Sequence, residues 1–313
     1  MVSAGGIGFG TQGGEPVIAV WMLTWKELIR KRVTLMTLLM TVIFWIAYYF
    51  IAQSAGSAPA GTASTLANIN DLLRGFENSA VLLWIGFFFG SFATGFLAIF
   101  SSVSAVSGEA EHGVLQSVLA RPIPRTRWYL GRWLGFVTYG LLYTLMLFVS
   151  IIAIVHEATG LRPDWSAMCA GFAFFTTPVL LMVTLTMLVS CWLAPLGNGI
   201  AMVMLFGMGW LGTMLDRVIQ SGMFDTEEAA QTSKTLETVS GLIRLLIPTD
   251  ALQQRMLAEL LSVKELAGTF DAASSLGYFS IVSPPSNAFI YYSVCYLLFF
   301  LAAGLFVIRR KDF

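Results

Sequence analysis

The chain has 313 residues, of which 57% are hydrophobic and only 12% charged, with a formal net charge of zero. So few charges cannot cover the surface of a water-soluble fold of this length, and there is no basic surplus to hold nucleic-acid phosphates. What remains is an integral membrane protein.

Residues 1–14 are rich in glycine and carry no charge, which predicts a mobile tail. No cleavable signal peptide is expected, because the first long apolar run starts only at Val33. Between Glu15 and Arg32, Val17, Val20, Trp21, Trp25 and Leu28 recur at helical spacing. Lys26, Arg30, Lys31 and Arg32 gather at the end of that segment. This pattern predicts an amphipathic helix lying in the membrane surface with its indoles at headgroup level.

Six apolar runs are long enough to span: residues 33–52, 80–106, 133–155, 168–191, 196–215 and 287–308. None contains Asp, Glu, Lys or Arg. The predicted domain is therefore a single all-α, six-span unit over 33–308, with a short tail at 309–313. Runs four and five are separated only by Trp192–Leu193–Ala194–Pro195, a tight re-entry turn followed by Gly197 and Gly199. Placing the N-terminus inside puts most basic residues on that side, among them Arg121, Arg125, Arg127, Arg132, Arg309 and Arg310, and most acidic residues outside. The expectation is a multi-pass protein of the cell membrane with both termini in the cytoplasm.

The largest extramembrane piece, 216–286, is expected outside. Pro248–Thr249–Asp250 reads as a helix start with an N-cap oxygen and an acidic first turn. Leu252, Met256, Leu260, Val263 and Ala267 follow as an apolar stripe. That helix is expected to rest on the outer leaflet or to cap the spans. A plain solubilising connector is the alternative.

Chemistry-bearing residues are sparse. Cys169, Cys191 and Cys295 all lie in apolar runs and read as small buried hydrophobes, and their odd number argues against a disulfide framework. His112 and His156 fall on opposite sides of the membrane, and neither sits at the middle of a span beside a nucleophile. Glu109 and His112 match one half of a Glu-x-x-His di-metal site, but no second copy exists, so no metal is expected. No ionisable residue is predicted at membrane depth to couple transport to an ion gradient. No lysine follows a glycine, so there is no phosphate-binding loop. Movement across the membrane must be passive or powered by another subunit.

The segment between runs two and three is more informative. Glu109 and Glu111 favour a helix start, Val114, Leu115, Val118 and Leu119 form one apolar face, and Pro122 and Pro124 stop it. Arg125, Arg127 and Arg132 are expected to hold the next span at the headgroups. This is either a short, rigid lever or a positive loop that merely sets topology.

The run SGEAEHGVLQSVLARPIPRTRWYLGRWLG resembles the elbow of ABC-2-type transporter permeases, the type V exporter-like class. The entry segment WKELIRKR, the six-span plan, the IPTDAL segment and the terminal IRRKDF are similar too. The resemblance implies a homodimer of permeases docked on two copies of a separate ABC-type ATPase subunit. It implies that Glu27 of the entry helix, and Glu109, Glu111, Gly113, Arg121, Pro122 and Arg125 of the elbow, face that ATPase. The chain itself would be no enzyme and bind no cofactor, with ATP and magnesium on the partner. Apart from that partner and a second copy, it would contact membrane lipids and no nucleic acid. Arg132 stands where many relatives have lysine.

Run two carries Phe88, Phe92, Phe96 and Phe100 as one aromatic ridge, with Gly86, Gly90, Thr94 and Ala98 as a small ridge opposite. Run five repeats the theme with Met202, Phe206, Trp210 and Met214. The small ridge suits close helix contact. In ABC-2-type relatives these two spans line the central path, so the resemblance makes the large ridges candidates for a greasy translocation path. Lipid-facing or core packing is the plain alternative. Two further readings of the whole chain stand beside the exporter permease: a passive channel or scramblase-like protein, and a membrane anchor of another complex or an intramembrane enzyme.

Overall fold

The computed structural model describes residues 15–56, 65–108, 124–220, 230–261 and 285–310. Among the described residues the chain forms nine helices and no strand: α1 (Glu15–Arg30), α2 (Arg32–Gly56), α3 (Thr65–Ser102), α4 (Arg125–Thr159), α5 (Trp165–Val189), α6 (Pro195–Gln220), α7 (Ala230–Leu246), α8 (Thr249–Leu260) and α9 (Asn287–Arg310). Six of them, α2, α3, α4, α5, α6 and α9, are long and apolar enough to cross a membrane. The fold is all-α, as the composition requires.

Hydropathy marks where a helix crosses a bilayer, whereas backbone hydrogen bonding sets where it ends, and the two differ at several places. Helix α4 starts at Arg125, ahead of the predicted Trp133, because Pro124 (φ −57°) presets the entry and nothing in Arg125–Arg132 breaks a helix. It ends at Gly160, whose φ of 75° is the left-handed conformation that glycine supplies without a Cβ penalty. Helix α3 starts at Thr65 and stops at Ser102, short of Val106, and residues 103–106 are turns. Just before that break the Ser101 and Ser102 hydroxyls donate back to Ala98 O (3.2 and 2.6 Å).

Helix α5 lies at the centre, packed on α3, α4, α6, α8 and α9. The small ridge of α3 is buried as its residue sizes suggest: a Cβ on Gly86 would meet Tyr48 and Ile151, and one on Gly90 would meet Ile151 and Phe175. Indoles fasten further spans together. Trp45 donates to Ser150 (2.9 Å) and Trp133 to Thr184 (2.9 Å). Helices α2 and α9 bury least of themselves and turn most of their apolar surface outward.

Between α6 and α9 the chain departs from expectation. The described residues of 216–286 form two helices, α7 and α8, not one. Helix α8 does begin at Thr249, but it is packed among α5, α6 and α3 and buried on nearly every side, not laid on a leaflet. No side chain caps it; the Asp250 carboxylate instead accepts the Thr213 hydroxyl of α6. Val263 and Ala267 lie outside the described residues. The cysteine expectation holds for Cys191 alone: Cys169 and Cys295 are exposed, on outward faces of α5 and α9.

Candidate functional site

The basic end of the bundle is built around α1 and α4. Gly131 and Gly135 lie one turn apart on α4 and remove the side chains that would hold α1 away. A Cβ on Gly131 would come within 2.8 Å of Val20 Cβ, and one on Gly135 within 2.6 Å of Thr24 Cβ. Val20, Thr24 and Leu28 are buried in this seam. The indoles of Trp21 and Trp25 both donate to the Thr138 hydroxyl (2.9 and 2.8 Å). The predicted apolar face of α1 is thus real, and it packs against a span.

Arg132 sits between those glycines. The headgroup position expected for it is not what the structure shows: its side chain is 2% exposed. Its guanidinium donates to the Glu27 carboxylate, approaches the Thr24 hydroxyl (3.4 Å), and lies over the rings of Phe136 (5.3 Å) and Trp128 (6.0 Å). Lys31 pairs with the other oxygen of Glu27 (2.9 Å). Burial pushes the Glu27 carboxyl up, but Arg132, followed by Lys31, outweighs it and holds the group below the usual 4.5.

A second knot lies beside it, where α3 ends. The turn at 103–106 frees backbone groups that need partners. Ser190 Oγ accepts the backbone N–H of Val106 and of Ser107 (both 3.1 Å). Asn198 Nδ2 donates to Val103 O and Thr186 O (both 3.0 Å). The end of α3 is thereby tied to the α5–α6 turn. Sequence reasoning missed this pair; the available signal was an asparagine between two glycines in an otherwise uncharged apolar turn.

Of the residues implied at the ATPase contact, Glu27 lies on α1 and Arg125 opens α4. Glu109, Glu111, Gly113, Arg121 and Pro122 lie outside the described residues, as does His112. Among the described residues no His, Cys, Asp or Glu cluster able to hold a metal is present.

The two large ridges meet within one subunit. Phe88 packs on Trp210 (centroids 6.0 Å), and Phe92 on Phe206 (5.6 Å) and Trp210 (6.3 Å). Phe206 fills the notch left by Gly95, where a Cβ would be 2.6 Å from its ring. Met202 and Phe206 are buried, whereas Phe96, which packs on Phe206 (6.1 Å), and Phe100 are exposed and border a crevice toward α2. Toward the acidic end the seam is covered by α8, whose Asp250 and Gln253 face Phe88 and Trp210. There Gln254 donates to Thr213 (3.3 Å), Ser240 donates to Asp216, and Arg244 pairs with Asp216.

Six apolar helices, an entry helix bolted to one of them by a buried arginine, and two helices between the fifth and sixth spans in the chain make a multi-pass, all-α membrane protein. The family model described as ABC-2 family transporter protein matches residues 21–313, and the chain belongs to that family. No curated protein matches the chain. Members of the family are the membrane permease subunits of ABC transporters and generally work with an ABC ATPase subunit.

Proposed function

We propose that this chain is the permease of an ABC exporter: a homodimer, docked on two copies of a separate ATPase subunit, that moves an amphiphilic cargo out of the cell. Both termini and the elbow lie in the cytoplasm in this reading. ATP and magnesium are bound by the partner, and this chain contributes no catalytic group.

The observation that carries the reading is the Glu27–Arg132 pair. It fastens the entry helix to α4, the span that begins where the elbow ends. A push from the ATPase on Glu109, Glu111, Gly113, Arg121, Pro122 and Arg125, or on Glu27 itself, is delivered to α1 and α4 as one body. The Ser190–Asn198 knot passes the movement of α3 to α6. The ridges Phe88, Phe92, Phe96 and Phe100 and Met202, Phe206, Trp210 and Met214 are the surfaces such a movement separates, and their aromatic and thioether groups suit varied apolar shapes. Alternating access of this kind is a two-state equilibrium biased by ATP on the partner.

The test is co-purification of the tagged full chain with an ABC ATPase subunit from the same cells, with hydrolysis measured for the chain alone and for the complex. Hydrolysis confined to the complex, and weakened association on Glu109→Ala or Arg121→Ala at unchanged expression, is expected. Hydrolysis by the chain alone, or flux through vesicles holding it without partner and ATP, overturns the reading; the latter favours a channel or scramblase.

A further inference from the structure

A crevice of about 530 Å³ runs between α2, α3 and α4, within the size range of small-molecule sites. Met36, Met40, Phe44, Ala93, Phe96 and Leu147 line it, and Arg32 stands at one end. The polar groups along it make no demand on an occupant. The Thr37 hydroxyl donates to Val33 O (2.9 Å), and Thr41 and Tyr143 share a hydrogen bond (2.6 Å). The crevice is an apolar slot with a cation at its mouth.

We propose that this crevice holds an anionic phospholipid, its acyl chain along α2 and its phosphate on Arg32. The charge pattern selects this occupant. Arg32 is exposed and has no carboxylate partner among the described residues, since Glu27 is engaged by Arg132 and Lys31. Arg30 is exposed beside it, and Arg32 is the first residue of α2, where the helix dipole also favours an anion. A slot that is apolar along its length and cationic at one end repeats the order of a phospholipid, acyl chain then phosphate. A second copy of the chain fits less well. The Glu27 carboxylate that a second copy would bring is already paired with Arg132 and Lys31. The proposal rests on the membrane-spanning fold alone, so its failure leaves the coupling reading intact.

The experiment is native mass spectrometry of the full chain released from nanodiscs of equal phosphatidylglycerol and phosphatidylcholine. Phosphatidylglycerol adducts are expected to dominate. Arg32→Gln lowers their ratio to phosphatidylcholine about fivefold, the factor for one basic residue at an anionic headgroup. Arg32→Lys keeps the preference. Ala93→Phe, which fills the slot, lowers both adducts, while Leu142→Phe on an exposed face of α4 lowers neither. An unchanged ratio in Arg32→Gln, unchanged adducts in Ala93→Phe, or a lipid-free dimer that Ala93→Phe splits overturns the proposal; the last outcome assigns the crevice to a second copy.

Discussion

Arg132 on α4 donates its guanidinium to Glu27 on α1, so a fully buried cation shares its bond with an anion that remains 36% exposed. The two partners are not equivalent. Glu27→Ala takes a carboxylate away from a cation buried among Trp128, Phe136 and Thr24. Arg132→Met removes that charge and leaves Glu27 with Lys31 and solvent. Glu27→Ala is therefore expected to destabilise the chain by about 2–3 kcal/mol, below the cost for a wholly buried pair because Glu27 is partly hydrated. Arg132→Met is expected to cost less. Thermal unfolding of the two variants in one detergent measures the order, and the reverse order refutes the argument.

The same pair predicts a pH response. Arg132 and Lys31 hold the Glu27 carboxyl below 4.5 in the folded chain. A depressed pKa stabilises the fold fully above the ordinary value, and that stabilisation is lost as pH falls through the lower, folded value. Docking of α1 is therefore constant from neutral pH down to about 4.5 and weakens below it. Tryptophan emission from Trp21 and Trp25 reports the release, and Glu27→Gln should flatten the acid limb. An unaltered limb in that variant places the titrating group elsewhere.

Much of this architecture was legible in the sequence. Six apolar runs gave the six spans, and the glycine and alanine ridge of α3 predicted a close contact that Tyr48 and Ile151 make. Arg132 was misplaced because hydropathy sets it outside a span. The helix runs on through it, and a carboxylate distant in sequence, Glu27, offsets its burial. Helix α7 was missed because its threonines, Lys234, Glu237 and Gly241 mask an apolar spacing of Leu236, Val239, Ile243 and Leu246. Helix α8 was found, and of its two expected places, on the leaflet or capping the spans, the structure gives the cap; its Asp250, Gln253 and Gln254 look solvated until Thr213 and the aromatic seam are seen to receive them.

The seat of α1 depends on missing side chains. A leucine at Gly135 would drive into the Thr24 side chain, whose Cβ and Cγ2 lie 2.6 Å from the Cβ position. Gly135→Leu is expected to cost about 1–3 kcal/mol, the usual penalty for overpacking, and to release α1 to proteolysis. Gly75→Ala serves as control, because nothing lies within 4 Å of its Cβ position. Equal proteolysis of the two variants removes the glycine seat from the account.

Asn198 donates to two carbonyls, Val103 O and Thr186 O, the second of which also accepts the Ser190 backbone N–H (2.9 Å). Asn198→Leu keeps the branched shape and removes both bonds; Thr186 O retains Ser190, so the expected cost is that of one polar group left unsatisfied, about 1–3 kcal/mol. Faster hydrogen exchange at Val106 and Ser107 is expected, since the end of α3 loses its tie to α6. Unchanged exchange there shows that Ser190 alone holds the turn.

The aromatic seam offers the last test. Phe206 is wedged against Gly95, and Phe92 lies across it, so arginine at either position strikes the packing of one subunit before it touches any cargo. Phe100 belongs to the same ridge but is 43% exposed, and arginine there is tolerated by the fold. In vesicles holding the permease with its ATPase, Phe92→Arg, Phe206→Arg and Phe100→Arg should each stop ATP-dependent movement of a fluorescent amphiphile. Phe100→Arg should do so with unfolding temperature unchanged. A charge in a path shaped for apolar groups costs about 2.5–3.5 kcal/mol at membrane depth, enough to slow passage about a hundredfold. Transport that survives Phe100→Arg and Phe92→Arg in folded protein moves the ridges from the path to the scaffold.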